Sequence, residues 1–367
     1  MTEPWVLTAC DGDALPLVTA DLPGIGGRIK GSPEDFVVDE LPAYTPSGEG
    51  EFVYLRVEKR DMSAEELLRT VSGVLGVHRS DIGQAGIKDR CAVTRQWLSV
   101  PQAAEPRVGL LEGAGVRVLE TGRHTNKLKT GHLRGNAFTV VIREVDPGAL
   151  SRAGAIVERL GRAGFPNFFG PQRFGADGRT GVVGLDLLRG ARTRETRRVV
   201  ADRFRKRLYL SAAQSALFNA VLIERMGAHG LGRVLDGDLL ARTDSGGPFV
   251  SVDRDVDQAR FDAGEVVHTG PIFGRKMRSA AGEALAMEQA VLALAALPDD
   301  AFTRFGRLTL GTRRPNVVRP RGLEAEAMDG GLRLRFELPR GCYATVLLRE
   351  LTRAAVIDGE DELEDDA

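Results

Sequence analysis

The feature that most constrains the fold is the order of strand-like and helix-like segments along the chain. Strand-like runs, rich in β-branched and aromatic residues, occupy residues 52–57, 137–142 and 332–338, toward the two ends of the sequence. Residues 180–203 and 211–226 between them carry the apolar spacing of helices. Because strands and helices do not alternate regularly, this order predicts an α+β fold with an antiparallel sheet and one domain inserted into another.

A change in composition marks the boundary between these parts. Residues 161–178 are rich in Gly, Phe and Pro, which are typical of a loop at a domain junction. The C-terminal part predicts further short strands at 307–310 and 344–346, followed by a closing helix at 347–356. Ser63, with Glu66 three residues later, predicts the start of another helix.

The sequence lacks the motifs of several common enzyme classes. It has no GxxxxGK[ST] phosphate loop, no GxSxG serine motif and no closely spaced histidine pair. Its cysteines, Cys10, Cys91 and Cys342, are far apart and predict neither a disulfide framework nor a metal knuckle. The N-terminus lacks a signal-peptide pattern, and no apolar run approaches the roughly 18 residues of a membrane span. We therefore expect a cytoplasmic protein with no metal and no membrane contact.

Basic residues are concentrated in two stretches, although the whole chain has a net charge of −1. Residues 358–367 hold seven acids, and without them 50 basic residues face 44 acidic ones. This acidic tail is predicted to be disordered. The basic stretches 121–135 and 189–207 suit RNA phosphates, or alternatively they are ordinary solvated faces. The candidate RNA contacts in the first stretch are Arg123, His124, Lys127, Lys129 and Arg134.

Asp89 is the candidate catalytic carboxylate. It stands between Lys88 and Arg90, and nearby cations keep an aspartate ionised. An ionised carboxylate acts as a nucleophile or as a base. The same Lys-Asp-Arg pattern is also typical of an exposed surface turn, so both interpretations stay open from the residues alone.

Two further segments contain polar and aromatic residues of the kind that bind RNA bases. Asn136 and Phe138 suit hydrogen bonding to, and stacking on, an unpaired base, although Phe138 equally suits a core position. Residues 167–175 contain three phenylalanines together with Gln172 and Arg173. This segment either lines an RNA groove, with Arg173 in contact with RNA, or locks two domains together by aromatic packing.

Five separated motifs, taken in order, resemble those of the TruD family of tRNA pseudouridine synthases. They are Lys30-Gly31-Ser32-Pro33-Glu34-Asp35-Phe36-Val37-Val38, residues 86–97, 134–138 and 167–175, and Leu338-Pro339-Arg340-Gly341-Cys342-Tyr343-Ala344-Thr345. Each motif is weak alone, but their joint occurrence in this order is specific. The resemblance implies a catalytic domain with a mixed, largely antiparallel sheet at residues 1–163 and 308–357, interrupted by an inserted α/β TRUD-type domain at 164–307.

The resemblance also implies an activity and its site. The implied reaction is the isomerisation of uridine 13 of tRNA to pseudouridine with base flipping, by a monomer that needs no cofactor, metal or protein partner. The family's catalytic aspartate falls on Asp89. Tyr343 stands where the family often has Phe, and Phe138 stands where other pseudouridine synthases have Tyr. The candidate substrate-binding residues are Phe36, Asn136, Phe138, Tyr343, Lys30, Lys88 and Arg90.

Two other functions fit parts of the pattern. A non-catalytic RNA-binding protein or tRNA chaperone would share the basic and aromatic residues, but it has no need of an acid such as Asp89 near phosphates. A glycosidase-like enzyme requires a second carboxylate, and Glu34, Asp35 and Glu40 are available in the sequence. The sequence leaves open whether Asp89 attacks the nucleoside or abstracts a ribose proton.

Overall fold

The computed structural model describes residues 4–175 and 177–354, so the acidic tail predicted at 358–367 lies outside the described residues. The strands in this part of the chain are Gly26–Arg28 (β1), Phe36–Pro42 (β2), Phe52–Arg60 (β3), Gly83–Gln84 (β4), Val93–Pro101 (β5), Val116–His124 (β6), Leu133–Val145 (β7), Phe165–Pro166 (β8), Leu239–Arg242 (β9), Pro248–Val250 (β10), Val266–Ile272 (β11), Thr312–Pro315 (β12), Val317–Val318 (β13), Arg321–Met328 (β14) and Gly331–Pro339 (β15).

The helices lie mainly in the middle of the chain. They are Pro4–Cys10 (α1), Ala64–Leu75 (α2), Ala149–Ala163 (α3), Arg179–Arg189 (α4), Arg194–Ala201 (α5), Arg203–Ala228 (α6), Arg254–Asp262 (α7), Gly282–Leu294 (α8) and Ala344–Thr352 (α9). The 3-10 segments are Pro33–Asp35, Arg79–Asp81, Gln102–Ala114, Pro171–Arg173 and Gly306–Thr309. Among the residues that the structure describes, no helix has the length and apolarity needed to cross a bilayer.

The largest sheet has nine strands and joins the two ends of the chain. Its order is β14-β15-β7-β2-β5-β3-β6, with β1 added to β7 and β4 added to β5. Its strand pairs are antiparallel, except that β2 and β5 run parallel. The predicted α+β fold with a mixed, largely antiparallel sheet is therefore confirmed.

The chain leaves the large sheet and returns to it beside a two-stranded ribbon. In this ribbon β8 pairs with β13, and Phe165 lies opposite Val318. Helices α4 to α8 and an antiparallel sheet in the order β10-β9-β11-β12 lie between these crossings. The domain division at residues 164 and 307 stays a prediction, and the pairing of β12 with β11 favours a second crossing after Pro315.

A shared core connects the large sheet with the helical part. Phe138 and Phe336 from the sheet belong to the same buried cluster as Phe218 and Leu222 from α6. The ribbon residue Phe165 is fully buried in this cluster as well. Because cores of this kind are close-packed, the long helix α6 and the large sheet hold one another in place.

Helix α2 shows how local sequence sets an element. The Ser63 hydroxyl accepts a hydrogen bond from the Glu66 amide at 3.1 Å, as expected of an N-cap. Gly76 ends the helix with a φ of +68°, a conformation that suits glycine. Leu67 and Val71 are fully buried on the face that packs against the sheet, so the predicted helix start and apolar face are confirmed.

The helix predicted at 180–203 is in fact two helices. Gly190 ends α4 at a φ of +80°, and the Thr193 hydroxyl accepts a hydrogen bond from the Thr196 amide at the start of α5. A left-handed glycine followed by a new N-cap interrupts the helical hydrogen bonding even though the apolar spacing continues across the break.

Two short strands predicted near the C-terminus were also wrong. Residues 307–310 lie in and beside a 3-10 turn, Gly306–Thr309, that starts at a φ of +59°. Residues 344–346 open α9, in which every residue is buried, so packing overrides the β-rich local sequence. The closing helix begins three residues before its predicted start, and the last two positions predicted for it, 355 and 356, lie outside the described range.

Phe336 provides a test of the shared core. Its ring is 2% exposed and stacks on Phe138 at a centroid distance of 5.1 Å. We expect Phe336→Ala to lower the free energy of unfolding by about 3–5 kcal/mol, because it leaves a cavity beneath the sheet. Urea unfolding followed by circular dichroism measures the change. Phe204→Ala, at an exposed ring, is the control and should change stability by less than about 0.5 kcal/mol.

Candidate active site

The parallel pairing of β2 with β5 brings Asp89 next to Lys30. Val37 lies opposite Val93, so the segments that precede the two strands meet at the same end of the sheet. Lys30 Nζ lies 3.5 Å from Asp89 Oδ1 and 4.5 Å from the ring centroid of Phe36. One ammonium group therefore contacts both the carboxylate and an aromatic ring.

The Asp89 carboxylate stays accessible in this arrangement. Its side chain is 31% exposed, against 10% for Lys30, and the neighbouring Arg90 is exposed. Lys30 adopts a φ of +58°, in the left-handed region, at a cost of about 1–2 kcal/mol for a residue with a Cβ. Backbone strain of this kind is concentrated at functional sites, which supports a functional role for Lys30.

Lys88 is directed into the interior beneath the loop that carries Asp89. Its Nζ lies 2.7 Å from Oε2 of Glu40, and the two side chains are only 3% and 1% exposed. The other oxygen of Glu40 accepts a hydrogen bond from the Trp97 amide at 3.2 Å. The buried pair thus holds the loop against the sheet, and direct contact of Lys88 with a substrate stays a prediction.

Lys59 holds the same loop through its backbone, and the sequence analysis missed it. Its side chain is fully buried, and Nζ donates to the Asp89 carbonyl at 2.8 Å and to the Lys88 carbonyl at 3.4 Å. The carbonyl of Met62 is a further acceptor. A buried ammonium requires such acceptors, so Lys59 ties β3 to the backbone of the catalytic candidate.

The acids that could act as a second carboxylate beside Asp89 are engaged by cations. Asp35 is 1% exposed and lies 2.6 Å from an Arg143 nitrogen, and this hydrogen bond holds the pKa of Asp35 below its ordinary value. Glu34 pairs with Arg60, whose hydrogen bond likewise lowers the pKa of Glu34. With Glu40 in its own buried pair, each of the three acids already has a partner. This arrangement disfavours the glycosidase hypothesis.

Stacked aromatic rings underlie the site. Phe36 meets Phe138 edge-on at a centroid distance of 6.1 Å, and Phe138 stacks on Phe336 at 5.1 Å. Phe36 is 1% exposed and Phe138 is 7% exposed, so both rings are core residues. Because Lys30 contacts both the Phe36 ring and the Asp89 carboxylate, the Phe36 end of this aromatic group lies close to Asp89. Contact of either ring with a substrate stays a prediction.

Asn136 lies two residues before Phe138 and therefore on the same face of β7. Its strand partners are Glu40 on β2 and Leu338 on β15. Asn136 Oδ1 is buried and has no hydrogen-bond partner among the described residues. Buried polar atoms are rarely left unpaired, and contact of this oxygen with a donor on a substrate stays a prediction.

Tyr343 is held by the aromatic segment at residues 167–175. It stands at the N-cap of α9, and its ring meets the edge of Phe169 at 6.0 Å. The Arg314 guanidinium lies 4.1 Å from the Phe169 ring centroid and donates to Asn167 Oδ1 at 2.7 Å. These contacts favour the interpretation that the segment locks parts of the chain together by packing.

Arg173 takes part in the same packing. It is 8% exposed, donates to Ser215 Oγ at 3.3 Å and to Ser211 Oγ, and lies 5.9 Å from the Phe169 ring centroid. These packing contacts are sufficient to explain why an arginine occupies this position, and no ligand is needed to explain it. Contact of Arg173 with RNA stays a prediction.

Most of the candidate RNA contacts at residues 121–135 also have partners within the protein. The contacts are Arg123 with Glu105, His124 with Tyr44, Lys127 with the Ser80 carbonyl and Arg134 with the Pro42 carbonyl. Lys129 is exposed. These contacts fix the shape of the basic loop, and its binding to RNA stays a prediction.

Cys342, next to Tyr343, is unsuited to act as the nucleophile. Burial raises the pKa of its thiol to about 11, so the thiol stays protonated near neutral pH. The thiolate is the nucleophilic form of cysteine. The accessible carboxylate of Asp89 is therefore the better candidate.

Comparison with known proteins gives matches along almost the whole chain. A family model for tRNA pseudouridine synthase D (TruD) matches residues 15–206 and 198–351. The chain is 49% identical over 354 residues to tRNA pseudouridine synthase D from Anaeromyxobacter dehalogenans, covering 96% of this chain and 99% of the relative. It is 42% identical over 344 residues to the protein of the same name from Thermus thermophilus, covering 94% and 93%.

A solved structure has the same fold. It is a crystal structure from Methanosarcina mazei, described as a candidate tRNA pseudouridine synthase D. The two chains superpose with a TM-score of 0.73 at 25% sequence identity, covering 96% of this chain and 99% of the other. The architecture that carries the site is therefore similar in that protein.

The buried pair of Lys88 and Glu40 can be tested by stability measurements. We expect Lys88→Met to lower the free energy of unfolding by about 3–5 kcal/mol, because Glu40 is left buried without its cation. Adding Glu40→Gln should restore part of this loss. Lys129→Met, at an exposed lysine, should stay within about 0.5 kcal/mol of the wild type. An unaltered stability in Lys88→Met would instead leave Lys88 free to face a substrate.

Proposed function

Because this chain belongs to the tRNA pseudouridine synthase D (TruD) family, it is an isomerase that acts on tRNA, and we propose that Asp89 starts the conversion of uridine 13 to pseudouridine. The observation that carries the proposal is the accessible Asp89 carboxylate, 3.5 Å from the Lys30 ammonium at the end of a buried aromatic stack. The loop that carries Asp89 is held in place by two buried lysines, Lys88 through Glu40 and Lys59 through the Asp89 carbonyl.

The chemistry requires only a positioned carboxylate and a confined base. The N1–C1′ bond of uridine breaks and a C5–C1′ bond forms, while C5 loses a proton and N1 gains one. Atoms and electrons balance without an oxidant or a co-substrate. Asp89 either attacks the nucleoside or removes a ribose proton so that the base leaves, and both routes use the same carboxylate in the same place.

Lys30 positions the reacting group in this scheme. Its ammonium is held by the Asp89 carboxylate on one side and by the Phe36 ring on the other. Charge-assisted contacts of this kind orient a carboxylate more strongly than neutral ones do. The ion pair therefore aims one oxygen of Asp89 at the opening, where a flipped-out nucleotide enters.

The detached base must turn without escaping, and we assign this task to the surrounding residues. Phe36 and Phe138 form the apolar floor of the pocket. Tyr343 supplies a half-buried ring opposite the large sheet. The unpaired Oδ1 of Asn136 accepts a hydrogen bond from an N–H of the uracil. Flipping the nucleotide out of its stack costs a few kcal/mol, which phosphate contacts by the basic loop and the exposed Arg90 offset.

Asp89→Asn tests the catalytic assignment. The substitution keeps the shape of the side chain but removes its charge, so we expect no pseudouridine in unmodified tRNA after incubation and chemical mapping of the product. Binding to tRNA should stay within about tenfold, because it depends mainly on phosphate contacts. Asp81→Asn removes the same charge at an exposed site and should turn over normally. Normal turnover in Asp89→Asn would end the proposal and favour a non-catalytic RNA-binding protein.

Tyr343 offers a separate test of the pocket. Tyr343→Ala removes a stacking surface worth about 1–3 kcal/mol, so we expect turnover to fall accordingly. Tyr343→Phe keeps the ring and should retain turnover within about twofold, because stacking does not require the hydroxyl. Single-turnover rates at saturating tRNA provide the measurement. Equal rates for the alanine variant and the wild type would remove Tyr343 from the pocket.

A further inference from the structure

An arginine-lined cleft of about 450 Å³ opens beside the first half of α6. Its polar lining includes Arg203, Arg207 and Arg307, and among the residues that the structure describes no carboxylate lines it. The volume falls within the usual range for a bound small molecule or a single nucleotide. The cleft therefore suits an anion with a ring attached.

Two of the three arginines of the cleft lie along one face of α6, and Arg307 belongs to the 3-10 segment Gly306–Thr309. Arg203, Arg207, Ser211 and Gln214 follow one another at the helical spacing of four, four and three residues. Like charges four residues apart repel one another, so an anion beside Arg203 is favoured on this face. Neither Arg203 nor Arg307 forms an ion pair within residues 4–175 and 177–354, and both are exposed.

The rest of the lining is apolar and suits a flat ring. Leu308, Leu310 and Ile272 face the cleft, and Leu310 is 37% exposed. The Gln214 amide nitrogen is fixed by its hydrogen bond to the Phe273 carbonyl at 2.6 Å, which leaves its carbonyl oxygen as an acceptor. These groups match the chemistry of a nucleotide. The guanidinium groups suit its phosphate, the apolar wall suits the face of its base, and the Gln214 oxygen accepts a hydrogen bond from the edge of the base.

A short path of contacts connects the cleft with Tyr343, a candidate substrate-binding residue. Ser211 lines the cleft and accepts a hydrogen bond from Arg173. Arg173 lies 5.9 Å from the Phe169 ring centroid, and Phe169 meets Tyr343 at 6.0 Å. Packed side chains thus join Tyr343 to the lining of the cleft.

We infer that the cleft holds a second nucleotide of the same tRNA, outside the target uridine, with its phosphate between Arg203 and Arg307. This inference rests on the proposed function, because it takes the tRNA strand to pass from Tyr343 toward α6. The cleft anchors the strand and takes no part in the bond changes. Its loss should therefore weaken binding and leave the chemical step unchanged.

The test is the double variant Arg203→Gln with Arg307→Gln, with tRNA binding measured over a range of salt concentrations. We expect the dissociation constant to rise roughly 10- to 100-fold at low salt. A plot of the logarithm of the dissociation constant against the logarithm of the salt concentration should have a slope smaller by roughly one to two. Turnover at saturating tRNA should stay within about twofold of the wild type. Arg69→Gln with Arg107→Gln removes the same charge from exposed residues elsewhere and should affect binding much less.

The outcomes separate this inference from the proposed function. Unchanged tRNA affinity in the cleft variant, with normal turnover, overturns the cleft and leaves the function standing. An equal loss of affinity in the control variant also overturns it, because the effect is then one of net charge. A rise in melting temperature with uridine 5′-monophosphate that disappears in the cleft variant, while tRNA affinity is unchanged, shows a site for a free anion. Failure of the function itself appears only as normal turnover in Asp89→Asn.

Discussion

The antiparallel pairing of β7 with β15 is the interaction on which the rest of the structure depends. It runs without a break from Gly331 opposite Arg143 to Pro339 opposite Gly135. This register sets Phe336 against Phe138 and delivers the chain to the start of α9 beside the aromatic segment. A slip by one residue would turn every side chain of β15 to the other face of the sheet. Phe138 would then lose its stacking partner Phe336.

Three lysines surround Asp89, and their burial decides what each one does. Lys88 and Lys59 are almost fully buried. Lys88 donates to the Glu40 carboxylate, and Lys59 donates to backbone carbonyls. Lys30 is 10% exposed and contacts the Asp89 carboxylate. Charges that cannot reach water hold the loop in place, whereas the one nearer to solvent can respond to a substrate. A loop with such anchors keeps its carboxylate positioned before the tRNA arrives.

The sequence predicted the fold class, whereas the roles of the candidate site residues stay predictions. The fold class could be inferred, and Asp89 singled out as the candidate carboxylate, because the motifs lie in order along the chain. Lys59 was missed because its Lys-Arg-Asp surroundings resemble a turn, although positions 53, 55, 57 and 59 alternate inward on one strand face. The burial of Lys88 depends on Glu40, 48 positions away, and no local pattern reveals such a distant partner. The same holds for α9, where packing overrides local preference.

Lys30 occupies a backbone conformation that glycine would adopt with less strain. Replacing it would relax the chain by roughly 1 kcal/mol but would remove the ammonium between the carboxylate and the ring. Backbone stability and retention of this ammonium group therefore place opposite demands on the residue. The φ angle of this one residue thus favours glycine, whereas the ion pair with Asp89 requires lysine.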